Sequence, residues 1–255
     1  MTQSVDLNSD LGEGYGPWTM GDDAALMQVI TSANVACGGH AGDPDVMARA
    51  MQMALENGVG IGAHPGFADR QGFGRRRLPL KRAEIVNLIR YQVGAADGMA
   101  RALGGRLHHI KLHGALSNMA AEDAGLAQDC YDAALGVAPD AILMVQAGTG
   151  MEEAAKALGA KWAGEVFADR AYNTDATLVD RSIAGAVLRD PGEVAARVVE
   201  MVQSGSVPTI DGGRLDVAID TICVHGDTAE AVSLAKAVRA GLEGAGITLA
   251  RFTGR

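Results

Sequence analysis

Cysteine is scarce in this sequence: Cys37, Cys130 and Cys223 are widely spaced in 255 residues, with no C-x-x-C pair. Such a set builds neither a disulfide framework nor a thiolate zinc cage, and it suits a reducing compartment. Positive charge is also short. With 22 Lys and Arg against 31 Asp and Glu, the formal net charge is −9. No basic aromatic stripe offsets it, which argues against nonspecific nucleic-acid binding and points to a small-molecule partner. No apolar run approaches the roughly 20 residues of a membrane helix, and "MTQSVDLNSDLGEG" has neither a basic n-region nor an apolar h-region, so a cytoplasmic chain is expected. There is no G-x-x-x-x-G-K-[ST] phosphate loop and no H-E-x-x-H zinc motif. Linkers, low-complexity tracts and short repeats are missing too, and the expectation is one domain over residues 1–255.

What is present alternates. Short β-rich runs at about 4–10, 33–37, 59–64, 107–113, 141–146, 162–168 and 217–225 are separated by amphipathic helical stretches. "DPDVMARAMQMALENG" has Asp43 to cap, Pro44 at the first helical position and Gly58 at the stop. A doubly wound sheet or a β/α barrel would fit seven such strands. The polar residues favour the barrel: Asp10, His40, His64, His113, Glu165 and His225 each fall near the C-terminal end of a different strand, and only a barrel brings those ends to one mouth.

In "RLHHIKLHGALSN", strand alternation puts His109, Lys111 and His113 on one face and His108, Ile110 and Leu112 on the other. An ionisable face ending beside Gly114 reads as a pocket wall, with Lys111 to stabilise charge, His113 to move a proton and His109 to support them. In "VDLNSDLGEG" the same alternation aligns Asp6, Asn8 and Asp10, making Asp10 a general base or metal ligand oriented from below. His40 and His64 are flanked by Gly or Pro that let backbone and ligand approach closely. These imidazoles with Asp10 could form a zinc site or an acid–base set. Cys37 precedes Gly38, Gly39 and His40; without a base partner it reads as a small buried thiol. "HPGFADRQGFGRRRL" carries Arg70, Arg75, Arg76 and Arg77, suited to carboxylate or phosphate oxygens, with at least one of the adjacent three expected to be simply solvated. "QAGTG" leads into a helix whose amides could hold an anion. "EVFADRAYNTDATLVDRS" reads as a loop over the active face, offering Glu165, Asp169 and Arg170, and Asp227 is expected to cap the next helix.

Taken in order, "DLNSDLGE", "SANVACGGHAGDP", "IGAHPG", "QGFGRR", "KLHGALSN", "EVFADRAY" and "DTICVHGDT" closely resemble the LamB/YcsF family over nearly the whole chain. The resemblance implies a seven-stranded β/α barrel, TIM-like and of the glycoside hydrolase/deacetylase type. It further implies a role as the A subunit of an ATP-dependent 5-oxoprolinase, which cleaves 5-oxo-L-proline to L-glutamate together with subunits B and C. The cofactor would be ATP, bound by a partner subunit or shared with one, with a divalent metal as a second candidate. On this reading Asp10, His40, His64, Lys111, His113 and Glu165 are catalytic, while Asn8, Arg75, Arg76, Asp169, Arg170 and His225 bind substrate. The alternatives are a metal-dependent deacetylase or amidohydrolase that needs no ATP, and a noncatalytic lactam-binding subunit.

Overall fold

The computed structural model describes residues 4–226 and 231–255, so Asp227 lies outside the described residues. Strands form at Ser4–Leu11 (β1), Ser32–Ala36 (β2), Gly60–His64 (β3), His109–Lys111 (β4), Ile142–Gln146 (β5), Trp162–Phe167 (β6), Ser206–Pro208 (β7), Arg214–Asp216 (β8), Thr221–Cys223 (β9) and Thr248–Leu249 (β10). From β1 through β6 to β9, each strand pairs in parallel with the next, and β9 returns to β1 to close the barrel. These are the seven strands expected from the sequence. Two features were not: β7 and β8 form a separate antiparallel pair, and β10 adds in parallel beside β1 outside the closed ring.

Helices Asp23–Met27 (α1), Pro44–Glu56 (α2), Arg82–Ala102 (α3), Gly114–Glu122 (α4), Ala124–Leu135 (α5), Gly150–Ala157 (α6), Pro191–Ser204 (α7) and Ala231–Gly244 (α8) follow the strands. Their ends obey local chemistry. The Asp43 side chain accepts from the amides of Asp45 and Val46 to start α2, with Pro44 in the first turn. Asp190 and Pro191 start α7 in the same way, and Gly205, at φ 67°, stops it in the left-handed conformation that glycine tolerates best. No described helix is long and apolar enough to cross a membrane.

Period-2 alternation then sorts the side chains. Outward-facing Val5, Leu7, Val35, Ile61, Ile110, Leu112, Val145, Val166 and Ile222 are buried against helical residues such as Ile85, Ile89 and Val93 of α3. Full burial of each large aliphatic contributes about 1.5–3 kcal/mol before chain entropy is subtracted. The inward faces are mostly polar, apart from a small cluster of Ile142, Met144 and Ala163 with Phe252. A buried polar interior survives only if its groups are mutually satisfied, and the register arranges this. Asp6 stands beside Thr221 and Asp10 beside Asn34. Thr31, Ser32 and Thr221 donate hydroxyl protons to Asp6, and Asn34 donates to both Asn8 and Asp10. Gly62 makes room for this packing: a Cβ there would stand 2.0 Å from Nε2 of His109.

Candidate active site

Lys111 is the centre of the upper interior. Its Nζ lies 2.8 Å from Asp10 Oδ1, 3.1 Å from Cys223 Sγ and 3.4 Å from Asn8 Oδ1, which takes up its three protons. Glu165 Oε1 is 2.9 Å from the same nitrogen but makes no hydrogen bond, so this contact is one of charge alone. Burial would favour a neutral amine, yet Asp10, with Glu165 beside it, outweighs burial and raises the Lys111 pKa well above its ordinary value. Asp10 is governed by the same balance: burial raises its pKa, but His64 and Lys111 together hold it well below the usual carboxylate range. One cation between two carboxylates is therefore a permanent feature of the folded barrel. Cys223 stays a thiol because burial, despite Lys111, pushes its pKa well up. Burial likewise raises Cys37 to about 12, so neither cysteine has the thiolate character of a nucleophile.

Beside this group, Glu13, His40, His64 and His113 each offer a ligand atom, all within 4.8 Å of one another. Backbone carbonyls set two of the tautomers. His64 Nδ1 lies 2.9 Å from the Lys111 carbonyl and His113 Nε2 lies 2.7 Å from the Phe73 carbonyl. A carbonyl only accepts, so both of these nitrogens carry protons. In their neutral forms the two rings direct lone pairs at each other across the 3.0 Å between His64 Nε2 and His113 Nδ1, and Asp10 Oδ2 lies 3.4 Å from the same His64 nitrogen. Burial, then the neighbouring His64, pushes His113 down to about 3, and burial with the adjacent imidazoles holds His40 well below its ordinary value. Facing lone pairs call for a proton or a metal cation between them. Imidazoles that donate their second nitrogen to a carbonyl while turning the first inward are the usual construction of a metal ligand. His40 Nε2 sits 3.1 Å from Glu13 Oε1, and its buried Nδ1 has no hydrogen-bond partner.

Above lies a cavity of about 520 Å³ whose lining includes Asp10, His64, Arg75, Lys111, His113, Arg170 and His225. Of the other residues singled out from the sequence, Asn8, His40, Glu165 and Asp169 are buried behind this lining. Glu165 belongs to the middle of β6 rather than its end. Arg76 turns away and pairs with Asp69, while Arg77 lines the cavity edge and pairs with Glu122. Arg75 lies over the Phe73 ring, its guanidinium 4.9 Å from the centroid. Arg170 lines the cavity but donates to the carbonyls of Val179 and Ala186, and burial lowers it to about 10. The loop after β6 does lie over this face, since Asn173, Thr177, Leu178, Val179 and Asp180 line the cavity. In "QAGTG" the Gly148 amide is taken by Glu152 and Thr149 caps α6.

Sequence reasoning missed Glu13, Asn34 and Arg181. Glu13 follows β1 between Gly12 and Gly14, the same glycine-flanked setting that singled out His40. Asn34 shares the inward alternation used for Asp10. Arg181 lies in the loop read as covering the site, and its Nη2 is 3.1 Å from His225 Nε2.

The LamB/YcsF family pattern matches residues 5–255. A protein of Ruegeria pomeroyi, named as the A subunit of 5-oxoprolinase, is 56% identical over 248 residues, covering 97% of this chain and 98% of the relative. One of the same name from Rhodopseudomonas palustris is 51% identical over 251 residues, covering 98% and 99%. Among solved structures, the lactam utilization protein from Thermus thermophilus is 40% identical with a TM-score of 0.92, covering 98% of this chain and 100% of that one.

Proposed function

The chain belongs to the LamB/YcsF family, and from that premise we propose that it is the A subunit of a 5-oxoprolinase, opening the lactam ring of 5-oxo-L-proline to give L-glutamate. The observation that carries this reading is end-to-end similarity to relatives of that name. Subunits B and C complete the enzyme, and ATP hydrolysis drives it. An unactivated lactam is a poor electrophile, and phosphorylation of its amide oxygen makes the ring carbon open to attack by water. No G-x-x-x-x-G-K-[ST] loop occurs in this chain, so ATP bound here would be held without that cradle; a partner subunit, or a site shared with one, is the other place for it.

Within the cavity, Arg75 receives the substrate carboxylate, since a guanidinium at the lining matches two oxygens. Lys111, charged and already desolvated, stabilises negative charge developing on the carbonyl oxygen. Glu13, His40, His64 and His113 would hold a divalent cation, and the opposed lone pairs of His64 and His113 support that fit. A cation there supplies Lewis-acid polarisation and acidifies bound water.

That cluster also favours a second reading, a metal-dependent amidohydrolase without ATP. The test is to combine the chain with subunits B and C, add 5-oxo-L-proline with and without ATP, and measure glutamate. ATP-dependent glutamate supports the proposal. Glutamate formed equally well without ATP supports the second reading, and none in either case sinks both. Full turnover by assembled His113→Gln, Lys111→Met and His225→Ala complexes would instead mark the chain as a noncatalytic subunit.

A further inference from the structure

We propose that His225, held by Asp169, is the proton-transfer residue of the cavity, carrying a proton from the attacking water to the ring nitrogen; this rests on the lactam-opening reading above. The two residues come from neighbouring parts of the barrel. Asp169 lies two residues past the end of β6 and His225 two past the end of β9, and these strands pair directly. His225 Nδ1 lies 2.8 and 2.9 Å from the two oxygens of Asp169, which is buried. The carboxylate accepts, so Nδ1 carries the proton.

The other nitrogen is defined just as firmly. Arg181 Nη2 lies 3.1 Å from His225 Nε2, and a guanidinium only donates, so Nε2 presents a lone pair. The ring is neutral, with its basic nitrogen in the cavity and its protonated nitrogen on a buried carboxylate. Asp–His pairs that move protons in acyl transfer have this arrangement, in which the carboxylate fixes the tautomer and stabilises the imidazolium that forms. The ring also stacks on Phe167, centroids 5.7 Å apart, and the same Phe167 ring lies 5.4 Å from Lys111 Nζ. One aromatic ring thus separates the proton carrier from the charge stabiliser, and both line the cavity.

The step balances with water and the ATP-activated lactam. Water oxygen bonds to the ring carbon that bears the phosphorylated oxygen, the C=N electron pair moves to nitrogen, and His225 Nε2 carries one water proton to that nitrogen. The C–N bond then breaks with its electron pair going to nitrogen, which receives the second water proton through the same Nε2, and a second water hydrolyses the acyl phosphate left behind to glutamate and phosphate. His225 ends as it began. Arg181 occupies the Nε2 lone pair in the free chain and gives it up to water when the step begins. Asp169 acts through His225 and is a positioning residue. The site is separate from the Glu13–His40–His64–His113 group.

Two measurements test the pair. Imidazole nitrogen NMR of the isolated full chain should show His225 as the Nδ1–H tautomer, with the signal shifted in Asp169→Asn. In the assembled complex, His225→Ala should lower kcat by about 10²-fold or more with KM changed by less than about threefold, and free imidazole should restore part of kcat. Asp169→Asn should lower kcat similarly, without imidazole rescue. An Nε2–H tautomer, or turnover by His225→Ala within about threefold of wild type, overturns this assignment alone. Loss confined to KM, or loss of kcat that imidazole leaves unrestored, does the same. A wild-type complex that makes no glutamate overturns both this assignment and the function on which it rests.

Discussion

His40 lies flat on His113, ring centroids 3.5 Å apart and 6° from parallel. Buried imidazoles at that distance repel each other when charged, so the stack forms only between neutral rings, the form in which histidine binds metals. Chelator-treated protein should therefore take up one equivalent of zinc or manganese in calorimetry. His64→Ala and His113→Ala should abolish uptake, and His108→Ala, on the outward face, should leave it intact. A folded wild-type chain that takes up neither ion would sink the metal reading.

Lys111→Met should destabilise the protein by about 3–5 kcal/mol, because it strands Asp10 and Glu165 without their buried cation. Adding Glu165→Gln removes one stranded charge, so urea unfolding should find the double variant more stable than Lys111→Met alone. Equal or lower stability in the double variant would show that Glu165 draws nothing from Lys111. Glutamate formation should be lost in both.

Arg75 and Arg76 should separate cleanly. Arg75→Ala should raise KM for 5-oxo-L-proline by about tenfold or more, with stability changed by less than about 0.5 kcal/mol. Arg76→Ala, which removes the exposed guanidinium that pairs with the buried Asp69 outside the cavity, should leave KM alone. The assignment of Arg75 fails if the two variants have the same KM.

Burial raises Asp6 to about 6 despite hydrogen bonds from Thr221, Thr31 and Ser32. A carboxyl whose pKa is raised by folding contributes stability that is fully present below its unfolded value near 4 and is lost as pH rises through about 6. Relative to Asp6→Asn, the wild type should thus lose up to about 3 kcal/mol between pH 4 and 7. Parallel unfolding curves for the two proteins across that range would refute a raised Asp6.

Much of this architecture is legible in the sequence because strand alternation and strand-end polarity are local. Asp10, Lys111 and His113 can be placed inside the barrel from period-2 reading alone, and His64 indeed touches Asp10 on one side and His113 on the other. The choice of ion-pair partner is not local. Nothing near Arg76 distinguishes it from Arg75, and only the three-residue helical turn at Arg70–Gly72, capped by Asp69, puts Asp69 within its reach. Glu165 reads as a strand-end residue, but its partner lies on β4. The β7–β8 pair escapes sequence reading because its three-residue strands, one of them half-exposed, have too few alternating positions to show a period.

The polar interior also fixes an order of assembly. Asn8 donates to the Thr221 hydroxyl, Asp6 accepts from the same residue, and Lys111 donates to Cys223. During synthesis β1 emerges more than 200 residues before these partners on β9. Until β9 arrives, Thr31 and Ser32 satisfy one oxygen of Asp6, but its other oxygen and the Asn8 amide have only water in place of Thr221. The seam between β1 and β9 is consequently the last to close, and Lys111 acquires its full set of partners only when the nascent chain has become a ring.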